Sequence, residues 1–230
     1  MTDDIVANVL DMSSVIFYSD GHHEKLSVTS DTRVKMVAGA ADLMSRRGVN
    51  ATSMREVVRH TGTPRGSIGH HFPRGKQQLI EDAIVFAGAQ VSKPLEQLTQ
   101  ERGAIAGLQA FIALWRQTLE KTGFQAGCPV LAVAVEQYVN DATGSETGPD
   151  HAAQRHLLDL ADGVFRDWQR IMVAALRREG VASARARRLA ALVVASVEGT
   201  VAMCRAARNA EPLDDVRQEL EHILSTAMPK

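Results

Sequence analysis

The stretch SMREVVRHTGTPRGSIGHHFPRGK, Ser53 to Lys76, decides how the rest of the chain is read. Ser53 is placed to cap a helix, and Glu56 follows three residues later, the pattern of a capping box. Met54, Val57 and Val58 give that helix one apolar side. The helix should stop near Thr61–Gly62, because glycine tolerates the left-handed geometry of helix ends. Thr63 then caps a second helix, and Pro64 fits its first turn, where a missing N–H costs nothing. Phe72 and Pro73 terminate it.

The second helix has the wrong composition for a core element. Ile68 and Phe72, four apart, anchor one side, which leaves Arg65, Ser67, His70 and His71 pointing outward. The DNA major groove admits a helix of this width, and arginine there makes bidentate contacts to guanine O6 and N7. Gly66 and Gly69 lack side chains and allow close approach to a nucleic-acid backbone. Ser53, Thr63 and Lys76 are the matching phosphate contacts, Lys76 opening a further helix whose N-terminal N–H groups suit an anion. A solvated helix hairpin in an all-helical protein has the same pattern, so the residues alone leave both readings open.

Charge is unevenly spread. The 230 residues carry a net charge of −1, yet residues 31–76 hold nine lysines and arginines against Asp31, Asp42 and Glu56. A basic module on an acidic body attracts phosphate at one end only. Apolar content of 45% with only 4% aromatics, and few turn-rich strand patterns, favours a globular all-α protein.

Outward from the opening stretch, residues 1–30 carry Asp3, Asp4, Asp11, Asp20 and Glu24 against Lys25, unlike the basic arms that enter minor grooves. This extension is read as partly disordered, and His22–His23 as exposed loop residues without a third metal ligand. Asp31 to Gly48 is a helix with Met36, Val37, Ala40, Leu43 and Met44 at core spacing and Arg46–Arg47 in its last turn. From Gly75 a helix runs to about Lys93, where Pro94 ends or kinks it. Further helices are expected over 104–121, from Cys128–Pro129 through Tyr138, over 151–180, from a Ser183 cap to about Asn209, and from Pro212 onward, with a loop over 140–150.

TSMREVVRHTGTPRGSIGHHFPRGKQQL, with TRVKMVAGAADLMSRRGVNAT before it, resembles the DNA-binding segment of the TetR family of bacterial repressors. Gly48, Thr52–Ser53, Gly62, His70–His71–Phe72 and Lys76 fall in register. Members usually carry an aromatic residue, often Tyr, where this chain has Gly69, so part of the usual backbone contact is missing. FQAGCPVLAVAVEQ and SARARRLAALVVASVEGTVAMCRAARNAEPL resemble one branch of the family, the lincomycin-resistance-type repressors. The resemblance implies a three-helix DNA-binding domain over residues 31–76 and a helical ligand-binding and dimerisation domain over 77–230. Its implied partners are double-stranded operator DNA, a small-molecule effector and a second copy of the chain. In that family the last two long helices form a four-helix dimer interface, here Leu192, Ser196, Val197, Thr200, Val201, Leu220, Ile223 and Leu224. The same stripe reads equally as intramolecular core.

Ligand-pocket candidates are Phe111, Trp115, Phe124, Glu136, Tyr138, Phe165, Trp168, Met172 and Glu198. Each aromatic is also a natural core residue. Glu136 and Glu198 interrupt apolar helices, and a buried carboxylate demands a partner. Cys128 before Pro129 sits where a helix dipole lowers a thiol pKa, which opens a redox-sensor alternative with weak or no DNA binding; a buried cap residue is the other reading. No nucleophile motif, nucleotide loop or metal-ligand spacing occurs, so no catalytic residue, metal or cofactor is expected. No leader and no apolar run of about 18 residues is apparent, which gives a cytoplasmic expectation without a membrane partner.

Overall fold

The computed structural model describes residues 28–138 and 149–229. The expected all-α class holds: among the described residues there are nine helices and no strand. They are α1 (Val28–Arg47), α2 (Met54–Thr61), α3 (Ser67–His71), α4 (Lys76–Arg102), α5 (Ala104–Lys121), α6 (Pro129–Val135), α7 (Pro149–Arg178), α8 (Ser183–Ala207) and α9 (Glu211–Ala227). The expectations for 1–27 and for the loop over 140–148 lie outside the described residues.

Two compact units form, and they do not follow a boundary at Lys76. One takes in the described residues up to Gly88 together with 129–138 and 149–162; the other takes in Ala89–Cys128 and 163–229. Helices α4 and α7 contribute residues to both.

In the first unit, the stripe anticipated on α1 is the core. Met36, Val37, Ala40, Leu43 and Met44 are buried with Val57 and Val58 of α2 and with Phe72. Burying a side chain the size of Phe72 contributes about 1.5–3 kcal/mol. Asp42 of α1 ties the first two helices together. Arg46 Nε donates to it at 2.9 Å, and His60 Nε2 of α2 lies 2.9 Å from its other oxygen. Burial pushes the Asp42 carboxyl up, but His60 and Arg46 outweigh it and hold the group below its usual range.

In the second unit, Leu108, Phe111, Ile112, Trp115 and Leu119 of α5 are buried as their spacing requires. They share the interior with Trp168, Met172 and Leu176 of α7, Val193, Val197 and Val201 of α8, and Leu213, Leu220 and Leu224 of α9. Arg116 of α5 and Asp214 of α9 form an ion pair at 2.5 Å.

Three expectations are corrected here. Pro94 neither ends nor limits α4, which runs on to Arg102. Proline removes one backbone bond, and burial of Leu95 and Leu98 beyond it keeps the helix going. Ser183 is the first helical residue of α8 rather than its cap; Ala182 occupies that position with no side-chain bond. An apolar run of membrane length does occur in α8: an 18-residue window has mean hydropathy 1.6, with 44% of it buried in the protein.

Candidate functional site

The helix-turn-helix forms where the opening stretch places it, with local differences that set which side chains are presented. Ser53 Oγ accepts the Glu56 N–H at 3.2 Å, and Gly62 at φ 65° ends α2 in the left-handed region. Only half of the capping box forms, because the Glu56 carboxylate bonds Arg59 and Arg47 instead of returning to Ser53. The second helix is shorter than its sequence suggests. Pro64, Arg65 and Gly66 make a turn, and α3 covers only Ser67–His71. Ser67 N–H and Oγ both donate to the Pro64 carbonyl, at 3.1 and 2.7 Å, and Gly66 is the N-cap.

Phe72 is buried and fixes the far end of α3. Pro64, Arg65, Gly66, Gly69 and His70 are exposed; Ser67, Ile68 and His71 are half-buried. Among the described residues, Arg65 has no ion pair, so its guanidinium faces water with five donors unspent.

Two expected phosphate contacts are placed differently. Thr63 does not cap α3. It is 9% exposed, and its hydroxyl lies 2.8 Å from the Thr61 hydroxyl. Lys76 is 8% exposed; its ammonium reaches the Asn50 carbonyl at 3.4 Å and stands 5.6 Å over the Tyr138 ring. Lys76 thus has partners on its own chain. Arg55 was missed. It is exposed in the first turn of α2 with no ion pair among the described residues. No capping or periodicity signal distinguishes it from any other surface arginine.

The second unit contains a small apolar cavity of about 20 Å³. Val91 and Leu95 come from α4, Leu108 and Phe111 from α5, Trp168 and Met172 from α7, and Val193, Val194, Val197 and Glu198 from α8. Four of the nine pocket candidates, Phe111, Trp168, Met172 and Glu198, are thus brought together. Trp115, Phe124 and Phe165 belong to the same unit but do not line it; Phe165 packs edge-on against Trp168 at 5.3 Å. Glu136 and Tyr138 belong to the other unit. Glu136 instead accepts the Val49 and Asn50 N–H groups, at 3.0 and 3.3 Å. The aliphatic lining was not legible beforehand, because a valine facing a cavity and one facing a core look alike in sequence.

Glu198 is 6% exposed, and its Oε2 has no hydrogen-bond partner. Burial pushes its carboxyl up to about 7, partly countered by a hydrogen bond from the Cys128 thiol. Cys128 is itself buried, and neither cysteine is in a disulfide. That environment suits a packed thiol rather than an accessible reactive one.

Of the expected dimer-interface residues, Val197, Thr200, Val201, Leu220 and Leu224 are buried within the single chain. Leu192 is 42% exposed, and Ser196 and Ile223 are half-buried. Met203, 57% exposed on the same helix, was not anticipated. It joins Ala191, Ala195, Gly199 and Ala202, also exposed, in one apolar face of α8.

One unit holds a helix-turn-helix with exposed cationic side chains and the other an apolar cavity, features that fit a DNA-binding transcriptional regulator. Residues 36–83 match the tetR family of bacterial regulatory proteins, and residues 104–219 match the C-terminal domain of LmrA/YxaF-like transcriptional regulators. An HTH-type transcriptional regulator of Mycobacterium tuberculosis is 34% identical over 198 residues, covering 86% of this chain and 96% of its own. HTH-type transcriptional regulator LmrA of Bacillus subtilis is 26% identical over 187 residues, 80% of this chain and 91% of its own. A TetR transcriptional regulator from Chloroflexus aurantiacus has a solved structure with TM-score 0.67 and 25% identity, covering 87% of this chain and 97% of its own. The chain belongs to the TetR family, which consists of transcriptional regulators and not of enzymes.

Proposed function

We propose that this protein is a dimeric repressor that leaves its operator when it binds a small molecule. The observation that carries the DNA half of the reading is Arg65, exposed and without an ion pair at the entrance to α3, flanked by exposed His70 and half-exposed Ser67 and His71. Arg65, Ser67, His70 and His71 read the major groove; Pro64 and Gly66 shape the approach; Ser53 and Arg55 contact phosphate. Lys76 and Thr63 support the reader from behind.

The apolar face of α8 around Leu192 and Met203 supports pairing with a second copy, which sets two readers on half-sites about 34–36 Å apart. The ligand releases DNA only to the extent that it binds the released state more tightly than the bound one.

Gel-shift titration with DNA from upstream of the protein's own gene tests the reading. Specific binding should weaken steeply with salt, and Arg65→Ala should cost roughly 1–3 kcal/mol in affinity while dimerisation is kept. Absent or salt-insensitive binding would overturn it in favour of a helical small-molecule-binding protein.

A further inference from the structure

We propose that Glu136, Gln137 and Tyr138, which follow α6, clamp both ends of the helix-turn-helix, and that Glu136 is a positioning residue for operator recognition. The inference rests on the proposed DNA-reading role and names residues that set the angle of the reader from within the chain.

The entry end is the connection between α1 and α2. Part of it is tied locally. Gly48 N–H donates to the Met44 carbonyl at 2.9 Å, Thr52 N–H to the Val49 carbonyl at 3.2 Å, and the buried Thr52 hydroxyl to the Gly48 carbonyl at 2.8 Å. The N–H groups of Val49 and Asn50 instead share one oxygen of Glu136, at 3.0 and 3.3 Å. Backbone bonds to a carboxylate are charge-assisted and stronger than neutral ones. Asn50 is held a second time by its side chain, whose Nδ2 donates to the Gln137 carbonyl at 2.7 Å.

Lys76, the first residue of α4, marks the exit end. Its ammonium reaches the Asn50 carbonyl at 3.4 Å and stands 5.6 Å over the Tyr138 ring. The residue leaving the helix-turn-helix thus meets both the residue entering it and the clamp. Gln154 of α7 pins the clamp in turn: its Nε2 donates to the Glu136 carbonyl at 3.2 Å, and its Oε1 accepts the Tyr138 N–H. All of these residues belong to the first unit.

Helix α3 has five residues and buries none of them, so its direction depends on what holds its ends. Contacts to base edges require hydrogen-bond geometry, whereas phosphate contacts carry no sequence information. Releasing the clamp should therefore weaken specific binding and leave non-specific binding nearly intact. Loss of one bidentate base contact is about a tenfold change in affinity.

The full-length protein is titrated by fluorescence anisotropy with its own upstream duplex and with a scrambled duplex of equal length. Glu136→Ala and Glu136→Gln remove the same negative charge, but only the glutamine keeps an oxygen for Val49 and Asn50. Glu136→Ala should lower the preference for the upstream duplex about tenfold, and Glu136→Gln should restore most of it. Ile80→Val, which trims the buried core of the same unit, should keep the preference. A preference in Glu136→Ala within about threefold of the wild type, Glu136→Gln no better than Glu136→Ala, or an equal loss in Ile80→Val would each overturn the inference and leave the repressor reading standing. A wild type without preference for its upstream duplex would overturn the repressor reading and the inference with it.

Discussion

The Glu136 carboxylate accepts the backbone N–H of Val49 at 3.0 Å, immediately after Gly48 ends α1. The same oxygen accepts from Asn50, and Asn50 Nδ2 donates to the Gln137 carbonyl at 2.7 Å. Gly48 has φ +84°, and a Cβ there would meet Glu136 Oε1 at 1.9 Å. The connection between α1 and α2 is therefore capped by a residue far along the chain. Glu136 follows α6 directly, and Cys128, bonded to Glu198, precedes it directly. Glu136→Ala should lower stability by about 1–3 kcal/mol in chemical denaturation, because the buried Val49 loses its acceptor. Gly48→Ala should cost more, since it adds both the strained φ and the overlap. A wild-type midpoint in both variants would show that the cap is dispensable.

The exposed face of α8 gives the second prediction. Leu192→Glu with Met203→Glu introduces two charges where a paired subunit would bury them. Burying an unpaired charge at an interface costs about 2–5 kcal/mol. Analytical ultracentrifugation should therefore show monomers at concentrations where the wild type is paired, with unchanged helical content. Unaltered sedimentation would place the interface elsewhere.

Glu198 makes stability depend on pH with an unusual sign for a carboxylate. Its folded-state value of about 7 lies above its ordinary 4.5, so the folded protein holds the proton where the unfolded chain has lost it. Stability contributed by this group is full below about pH 4.5, falls as pH rises, and is lost above about pH 7, a difference of about 3 kcal/mol. Glu198→Gln removes that trend. Denaturation at pH 5 and pH 8 should show the variant gaining on the wild type at the higher pH; a constant difference between the two proteins would contradict the burial argument.

Gly69 of α3 has open space around it, with nothing within 4 Å of an added Cβ. Glycine inside a helix costs roughly 0.5–1 kcal/mol relative to alanine. Gly69→Ala should raise the thermal midpoint slightly without weakening operator binding. Weaker binding would mean that DNA approaches the backbone at this position more closely than a methyl group allows.

Much of the reader was legible because local rules decide it. Ser53, Gly62 and Phe72 act through caps, left-handed geometry and a single anchored side, each written within a few residues. The start of α3 was misjudged for the same reason: a Thr–Pro pair is a common helix opening, and only packing of Thr63 against Thr61 shows that the helix begins later. Glu136 and Glu198 were singled out together as carboxylates on apolar helices, yet one caps a distant turn and the other faces a cavity.

By itself, the sequence determined the helical class, the position of the helix-turn-helix and the outward set around Arg65, since periodicity and capping are short-range. Tertiary structure alone decided that Lys76 turns inward, that Val197 and Val201 are core while Leu192 and Met203 are surface, and that Glu198 has a vacant oxygen in an apolar hollow. Those outcomes depend on which helix lies opposite each side chain, and residues distant in the chain set that.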